Sequence, residues 1–198
     1  MTDALEILPL TRERLPHLAG LLGQGGDPKW CWCASFRIRG VEFHNSTATT
    51  NRRVLERAVD ELEGRAPGLI AYRDGEAIGW VSLGPRDDYE RLQRSKILTP
   101  IDAKPVWSIV CFVVGRKSRG QGVAAALLDA AVDYARQHGA TLLEGYPVET
   151  DGARIPSANV YKGTLAMFER AGFKVVERRK WKRTTPERPI VRRTVRRS

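Results

Sequence analysis

The chain has 198 residues, of which 42% are hydrophobic, a length and composition that suit one domain with a sizeable core. It holds no apolar run of roughly 18 residues or more, which excludes a membrane-spanning helix, and its start lacks the basic and apolar stretches of a signal peptide. The net charge of +10 would suggest a nucleic-acid partner, but residues 174–198 alone carry eleven Lys or Arg and two Glu. Charge so confined reads as a solvated strand face or tail, with an anionic partner as the alternative.

In chain order, residues 6–10 read as a short strand. Thr11 caps a helix reaching Leu22, with Leu15, Leu18, Leu21 and Leu22 at helical spacing. The segment 30–39 is aromatic-rich and irregular. It holds Cys31-Trp32-Cys33; with Cys111 the cysteines number three, which argues against a disulfide framework and for a reduced, cytoplasmic setting. A helix over 50–63 stops at Gly64. Two apolar runs, 68–73 and 77–83, flank Asp74-Gly75, a strong hairpin signal. Residues 107–114 are almost devoid of polarity and fit a strand buried on both faces. A clear helix follows over 123–138, then a strand at 141–146, a short helix at 164–170, and a hairpin over 174–183 and 190–195. The order β-α-α-β-β-β-α-β-α-β-β predicts an α/β fold, a mixed and largely antiparallel sheet flanked by helices.

The stretch from Val110 to Ala124 runs from a buried strand through a glycine-bearing turn into a helix start. Amides there lack intrahelical partners and the helix dipole adds partial positive charge. Gly120 and Gly122 let the backbone approach a ligand closely, so the turn suits a pyrophosphate. It is neither a Walker A loop, since no Gly-Lys-Ser/Thr follows, nor a dinucleotide fingerprint, since no parallel βαβ frame surrounds it.

Arg119-Gly120-Gln121-Gly122-Val123-Ala124 resembles the Gln/Arg-x-x-Gly-x-Gly/Ala signature of the GNAT superfamily of N-acyltransferases. The late Phe168-x-x-x-Gly172-Phe173 is similar to that family's aromatic-x-x-x-Gly-Phe, and the Asp-Gly hairpin and following strand keep its order. The resemblance implies one GNAT-like domain over 1–198, with a basic C-terminal strand or tail at 174–198. It implies transfer of an acetyl group from acetyl-CoA, bound as co-substrate without a metal, onto a small-molecule or peptide amine. Phe112, Val113 and Val114 would then hydrogen-bond the pantetheine arm through main-chain groups. Arg119, Gly120, Gln121, Gly122, Val123 and Ala124, with Ala125 beside them, would hold the pyrophosphate.

An acceptor ammonium near pKa ~10.4 must lose a proton before it attacks a thioester. The central-strand Glu that some family members use is absent from Trp107-Ser108-Ile109; Glu144, on the next strand, is the expected base and Glu149 the fallback. The family's frequent acid, a Tyr at the position of Phe168, is missing here, and Tyr161 is expected to take its place, with Tyr146 as the other candidate. Trp30 and Trp32 could wall an acceptor site, although core packing with buried thiols is the commoner explanation of such a segment. Cysteine spacing and three scattered histidines supply no convincing zinc ligand set. Two rival readings stay open: a non-catalytic acyl-CoA sensor, and acetylation of an RNA-borne amine through the basic tail. A membrane partner is not expected, and a homodimer is left open.

Overall fold

The computed structural model describes residues 5–150, 161–180, 182 and 185–196. Strand β1 (Glu6–Pro9) is followed by a 3-10 turn at Arg12–Arg14 and helix α1 (Leu15–Leu22). Short helices α2 (Asp27–Cys31), α3 (Ala34–Arg37) and α4 (Gly40–His44) then lead to α5 (Ala48–Glu61). Thr47 caps α5, its side-chain oxygen accepting from the Thr50 amide. Strands β2 (Gly68–Arg73) and β3 (Glu76–Pro85) form the expected hairpin, and Asp74 and Gly75 both take positive φ, as its two-residue turn requires. After α6 (Glu90–Arg94) come β4 (Trp107–Val114), α7 (Val123–Gln137), β5 (Leu142–Gly145), α8 (Leu165–Arg170), β6 (Lys174–Arg179) and β7 (Arg188–Thr194).

The strands build one seven-stranded sheet in the order β1-β2-β3-β4-β5-β7-β6. All neighbours are antiparallel except β4 and β5, which run parallel for only three residue pairs, Trp107↔Leu143 to Ile109↔Gly145. The pairing stops there because β4 carries a bulge. Its register against β3 passes from Leu83↔Ile109 to Ser82↔Cys111, so Val110 is an extra residue. The side-chain pattern records the same slip. Trp107, Ile109 and Phe112 face one layer, whereas Val110 and Cys111, neighbours in sequence, both face the other.

Helices cover both faces. On one side α7 and α8 pack Leu127, Leu128, Ala131 and Phe168 against Val81, Ile109 and Leu143. On the other, α1 and α5 pack Leu18, Leu22 and Leu55 against Ile70, Trp80 and Val113, with Phe36, Tyr89 and Leu92 extending that layer toward Val110 and Ile190.

The basic C-terminal segment is the β6–β7 pair rather than a free tail over its described residues, and much of its charge is engaged. Arg192 binds Glu144 and Asp102, Arg178 binds Glu149, and Arg179 binds Glu177 and the Thr99 carbonyl. Among the described residues no helix is long and apolar enough to cross a membrane.

Candidate functional site

The bulge at Val110 turns the outer half of β4 away from β5 and leaves a gap between two parallel strands. In the antiparallel ladder with β3, Gly115 donates to the Ile78 carbonyl, so alternation gives Val113 its main-chain partner in Trp80. Phe112 and Val114 point their polar main-chain groups the other way, into the gap. There the Phe112 amide donates to the Tyr161 carbonyl at 2.5 Å, and the Val114 carbonyl accepts from Arg119 Nε at 3.1 Å. Of the three residues expected to offer main-chain bonds to a ligand arm, Phe112 and Val114 turn their polar main-chain groups into the gap. Val113 does not, and contributes side-chain surface only.

At the end of β4 the chain makes a 3-10 turn, Arg116–Ser118, and enters α7 through Gly120 and Gly122, at φ 76° and 77°. This left-handed geometry is open to glycine at little cost. Gly122 is the N-cap, and no side chain caps the helix, so the amides of its first turn, Val123, Ala124 and Ala125, face outward without a side-chain acceptor. Gln121 is held aside: its Oε1 accepts from Arg73 at 2.5 Å and its Nε2 donates to the Lys117 carbonyl at 2.8 Å. Arg116, Lys117 and Arg119 are exposed around this mouth. A groove of about 300 Å³ runs from Arg116 and Arg119 past Val114 and Gly26 to Tyr161.

Beyond Tyr161 the groove meets a cavity of about 920 Å³, and Asp27, Pro28, Val113 and Tyr161 border both. Tyr161 thus stands between two chambers. Burial first, and then the charge of Asp27, push its phenol above the ordinary tyrosine range, which keeps the proton on the oxygen. Trp30, 39% exposed and edge-on to Phe43 at 4.6 Å, lines this cavity as expected. Trp32 does not. It is 7% exposed, sits in the α1–α5 layer, donates to the Lys29 carbonyl and carries the Arg52 guanidinium over its ring. Cys31, Cys33 and Cys111 border the cavity as thiols. Cys33 accepts from the Trp80 indole at 3.3 Å, and its hydrogen bond with Cys111 is the main cause that pushes the Cys111 thiol well above its usual range. That is the setting of an inert thiol.

Glu144 lies elsewhere. It is 0% exposed, with Oε1 bound by Arg86 and the Tyr146 hydroxyl, both at 2.6 Å, and Oε2 by Arg192 at 2.8 Å. A carboxylate with both oxygens filled and no route to an acceptor anchors β5 to its neighbours and is in no position to take a proton from a substrate. Its apolar strand had suggested a perturbed base; its partners are 58 and 48 residues away and only the sheet register assembles them. Tyr146 is spent in the same network, with Ser108 at 2.9 Å. Glu149 does line the cavity, but the Arg178 guanidinium holds its carboxyl below the usual range. Phe168 is wholly buried, packed edge-on to Phe112 and Phe173, and so close to Gly145 that a Cβ there would fall 2.4 Å from its ring.

Lys162 went unnoticed in the sequence. It lines the cavity with its ammonium 5.6 Å from the Phe36 ring centroid. Burial, then Arg188 and Arg91, bring its pKa down to about 8. One among 33 Lys and Arg residues carries no local mark of such a place.

Comparisons with known proteins agree on the architecture. A search of curated proteins finds no match. Among solved structures, an acetyltransferase of the GNAT family from Desulfovibrio desulfuricans superposes with a TM-score of 0.56 at 18% identity, covering 96% of this chain and 99% of the other. A variant of agmatine N-acetyltransferase in its apo form gives 0.62 at 11%, covering 98% and 100%. The NatC complex bound to a Gag peptide and CoA gives 0.53 at 15%, covering 97% and 99%. At such identities these structures share the fold. The model of the acetyltransferase (GNAT) family matches residues 34–173, well over half of the sequence, and the chain belongs to that family.

Proposed function

We propose that the protein transfers an acetyl group from acetyl-CoA to an amine by direct attack, with the donor in the groove and the acceptor in the cavity across Tyr161. The observation that carries this reading is that Asp27, Pro28, Val113 and Tyr161 border both chambers, with the exposed Arg116 and Arg119 at the outer end of one and Lys162 in the other. The residues fit a CoA ester. The first-turn amides of α7 and the exposed Arg116, Lys117 and Arg119 suit a diphosphate, and the Phe112 and Val114 main chain suits an amide-bearing arm. Acetyl-CoA supplies an activated acyl carbon.

This chain's part is to position and to manage protons. The acceptor nitrogen, as the free amine, bonds the acyl carbon, the C–S bond breaks, the sulfur leaves with a proton from Tyr161 Oη, and the proton shed by the nitrogen restores the phenol. No carboxylate is needed to strip the acceptor. Burial, which moves Lys162 toward its neutral form and raises the Tyr161 phenol, disfavours an ammonium seated by Tyr161 in the same way. Fold does not fix the acceptor, and the dicationic character of agmatine is a poor match to such a cavity.

Titration calorimetry with acetyl-CoA tests the donor site, and mass spectrometry of a panel of primary amines tests transfer. Absence of heat at sub-millimolar acetyl-CoA would overturn the assignment. Binding without any acetylated product would favour the sensor reading, which draws on the burial of Glu144 and the aromatic at Phe168.

A further inference from the structure

The cavity beyond Tyr161 is unbalanced in charge. Arg91 and Lys162 both address the ring of Phe36, the guanidinium carbon and the ammonium nitrogen each lying 5.6 Å from its centroid. Arg188, at the start of β7, lines the same cavity, and its field and that of Arg91 both reach Lys162. The carboxylates on the lining are placed otherwise. Glu149 is bound by Arg178, Glu187 lies 3.6 Å from Lys180, and Asp27 sits exposed at the start of α2, where it also borders the donor groove. Among the described residues, none of these carboxylates is paired with Arg91, Lys162 or Arg188. The thiols of Cys31, Cys33 and Cys111 and the phenol of Tyr161 complete the titratable lining, and the Cys31, Cys111 and Tyr161 groups are all pushed toward their neutral forms.

Three like charges, Arg91 and Arg188 exposed and Lys162 half-buried, repel one another at the cavity, and beyond the Ser35 carbonyl that accepts from Arg91 at 3.5 Å an aromatic face offsets them without accepting their hydrogen bonds. A compact oxyanion does both. It neutralises the wall and presents several acceptor oxygens, the geometry for which arginine forks are suited. Trp30 and Phe43, edge-on to one another, supply apolar surface in the same chamber for a short carbon chain.

The geometry points to an acceptor that bears an oxyanion group, a carboxylate or a phosphate, in addition to its amine, with the oxyanion seated among Arg91, Lys162 and Arg188. This rests on the acetyl-transfer reading and names the substrate class of that site. The amine is then held toward Tyr161, and the transfer step balances as before.

The full chain, loaded with acetyl-CoA, is offered γ-aminobutyrate, phosphoethanolamine, ethanolamine and putrescine, and initial rates of N-acetylation are read by mass spectrometry. The expected result is a kcat/KM at least tenfold higher for one or both oxyanion-bearing amines than for ethanolamine or putrescine. The first two arms distinguish carboxylate from phosphate. In an Arg91→Gln, Arg188→Gln double variant that preference collapses through KM, while acetyl-CoA heats on the same sample report the donor groove. Equal rates across the four amines, a preference for putrescine, or an unchanged preference in the double variant overturns the proposal. If none of the four is acetylated, their binding to the acetyl-CoA-loaded protein is read by calorimetry, and equal or absent heats overturn it too. Loss of acetyl-CoA binding in the unsubstituted chain instead brings down the acetyl-transfer reading beneath it.

Discussion

Arg86 Nη1 lies 2.6 Å from Glu144 Oε1 in the interior of the sheet, with the two residues 7% and 0% exposed. The second fork nitrogen of Arg86 is held by the Leu92 and Leu98 carbonyls, and Arg192 fills the other oxygen of Glu144. Removing one partner of a buried pair leaves the other charge unsatisfied, at a cost of about 3–5 kcal/mol. Glu144→Gln is therefore expected to lower the unfolding free energy from urea melts by that order while the folded fraction keeps the pH–rate profile of the parent. A profile that loses its acidic limb at full stability would restore Glu144 as a base.

Gly122 and Gly64 both take left-handed geometry, at φ 77° and 69°, and a Cβ on either would meet nothing within 4 Å. Valine at either site should cost about 1–2 kcal/mol of backbone strain, read by denaturant melts. Only Gly122→Val also places a branched side chain at the mouth of α7. It should raise the acetyl-CoA Kd at least tenfold by calorimetry, against little change for Gly64→Val. Equal donor affinity in both variants would remove the α7 amides from the site.

Tyr161→Phe keeps the carbonyl that accepts from Phe112 and removes only the hydroxyl. The expected effect is a fall in kcat of about a hundredfold with the acetyl-CoA KM unchanged, at the low end of what a positioned acid contributes. Because burial and Asp27 raise this phenol, the parent's activity should persist well into alkaline pH before that acid is lost. A variant with unaltered kcat would leave the leaving sulfur to water.

Lys162, brought down to about 8, is charged below that pH and neutral above it. An oxyanion seated beside it favours the charged form, so binding should take up protons near pH 8 and weaken as pH rises through that value. Butyrate, which has no amine of its own, isolates the effect. Calorimetric heats in two buffers of different ionisation enthalpy should show the uptake in the parent and none in Lys162→Met.

The order of strands and long helices was legible in the sequence because each rests on local signals: the period of α7, the Asp74-Gly75 turn, the apolar run of β4. The short helices α2, α3, α4 and α6 were not, since four or five residues cannot display a period. The glycine turn into α7 was legible for the same reason as α7 itself, and Tyr161 and Trp30 do meet at the cavity. Glu144, Val113, Trp32 and Lys162 were misread or missed because each depends on something distant. Glu144 needs the register that brings Arg86 and Arg192 to it, and Trp32 turns inward through two consecutive left-handed residues, at φ 48° and 52°. Lys162 acquires its character from burial, and then from Arg188 and Arg91, on β7 and α6.

The extra residue in β4 has a reach beyond its own turn. Deleting Val110 would let the strand resume an unbroken pleat and zip onward against β5, with Cys111 on the face away from α7 and Phe112 toward it in simple alternation. The slot through which two molecules could meet from opposite edges would heal over. A count of one amino acid thus separates a molecule with a passage from one with an unbroken wall.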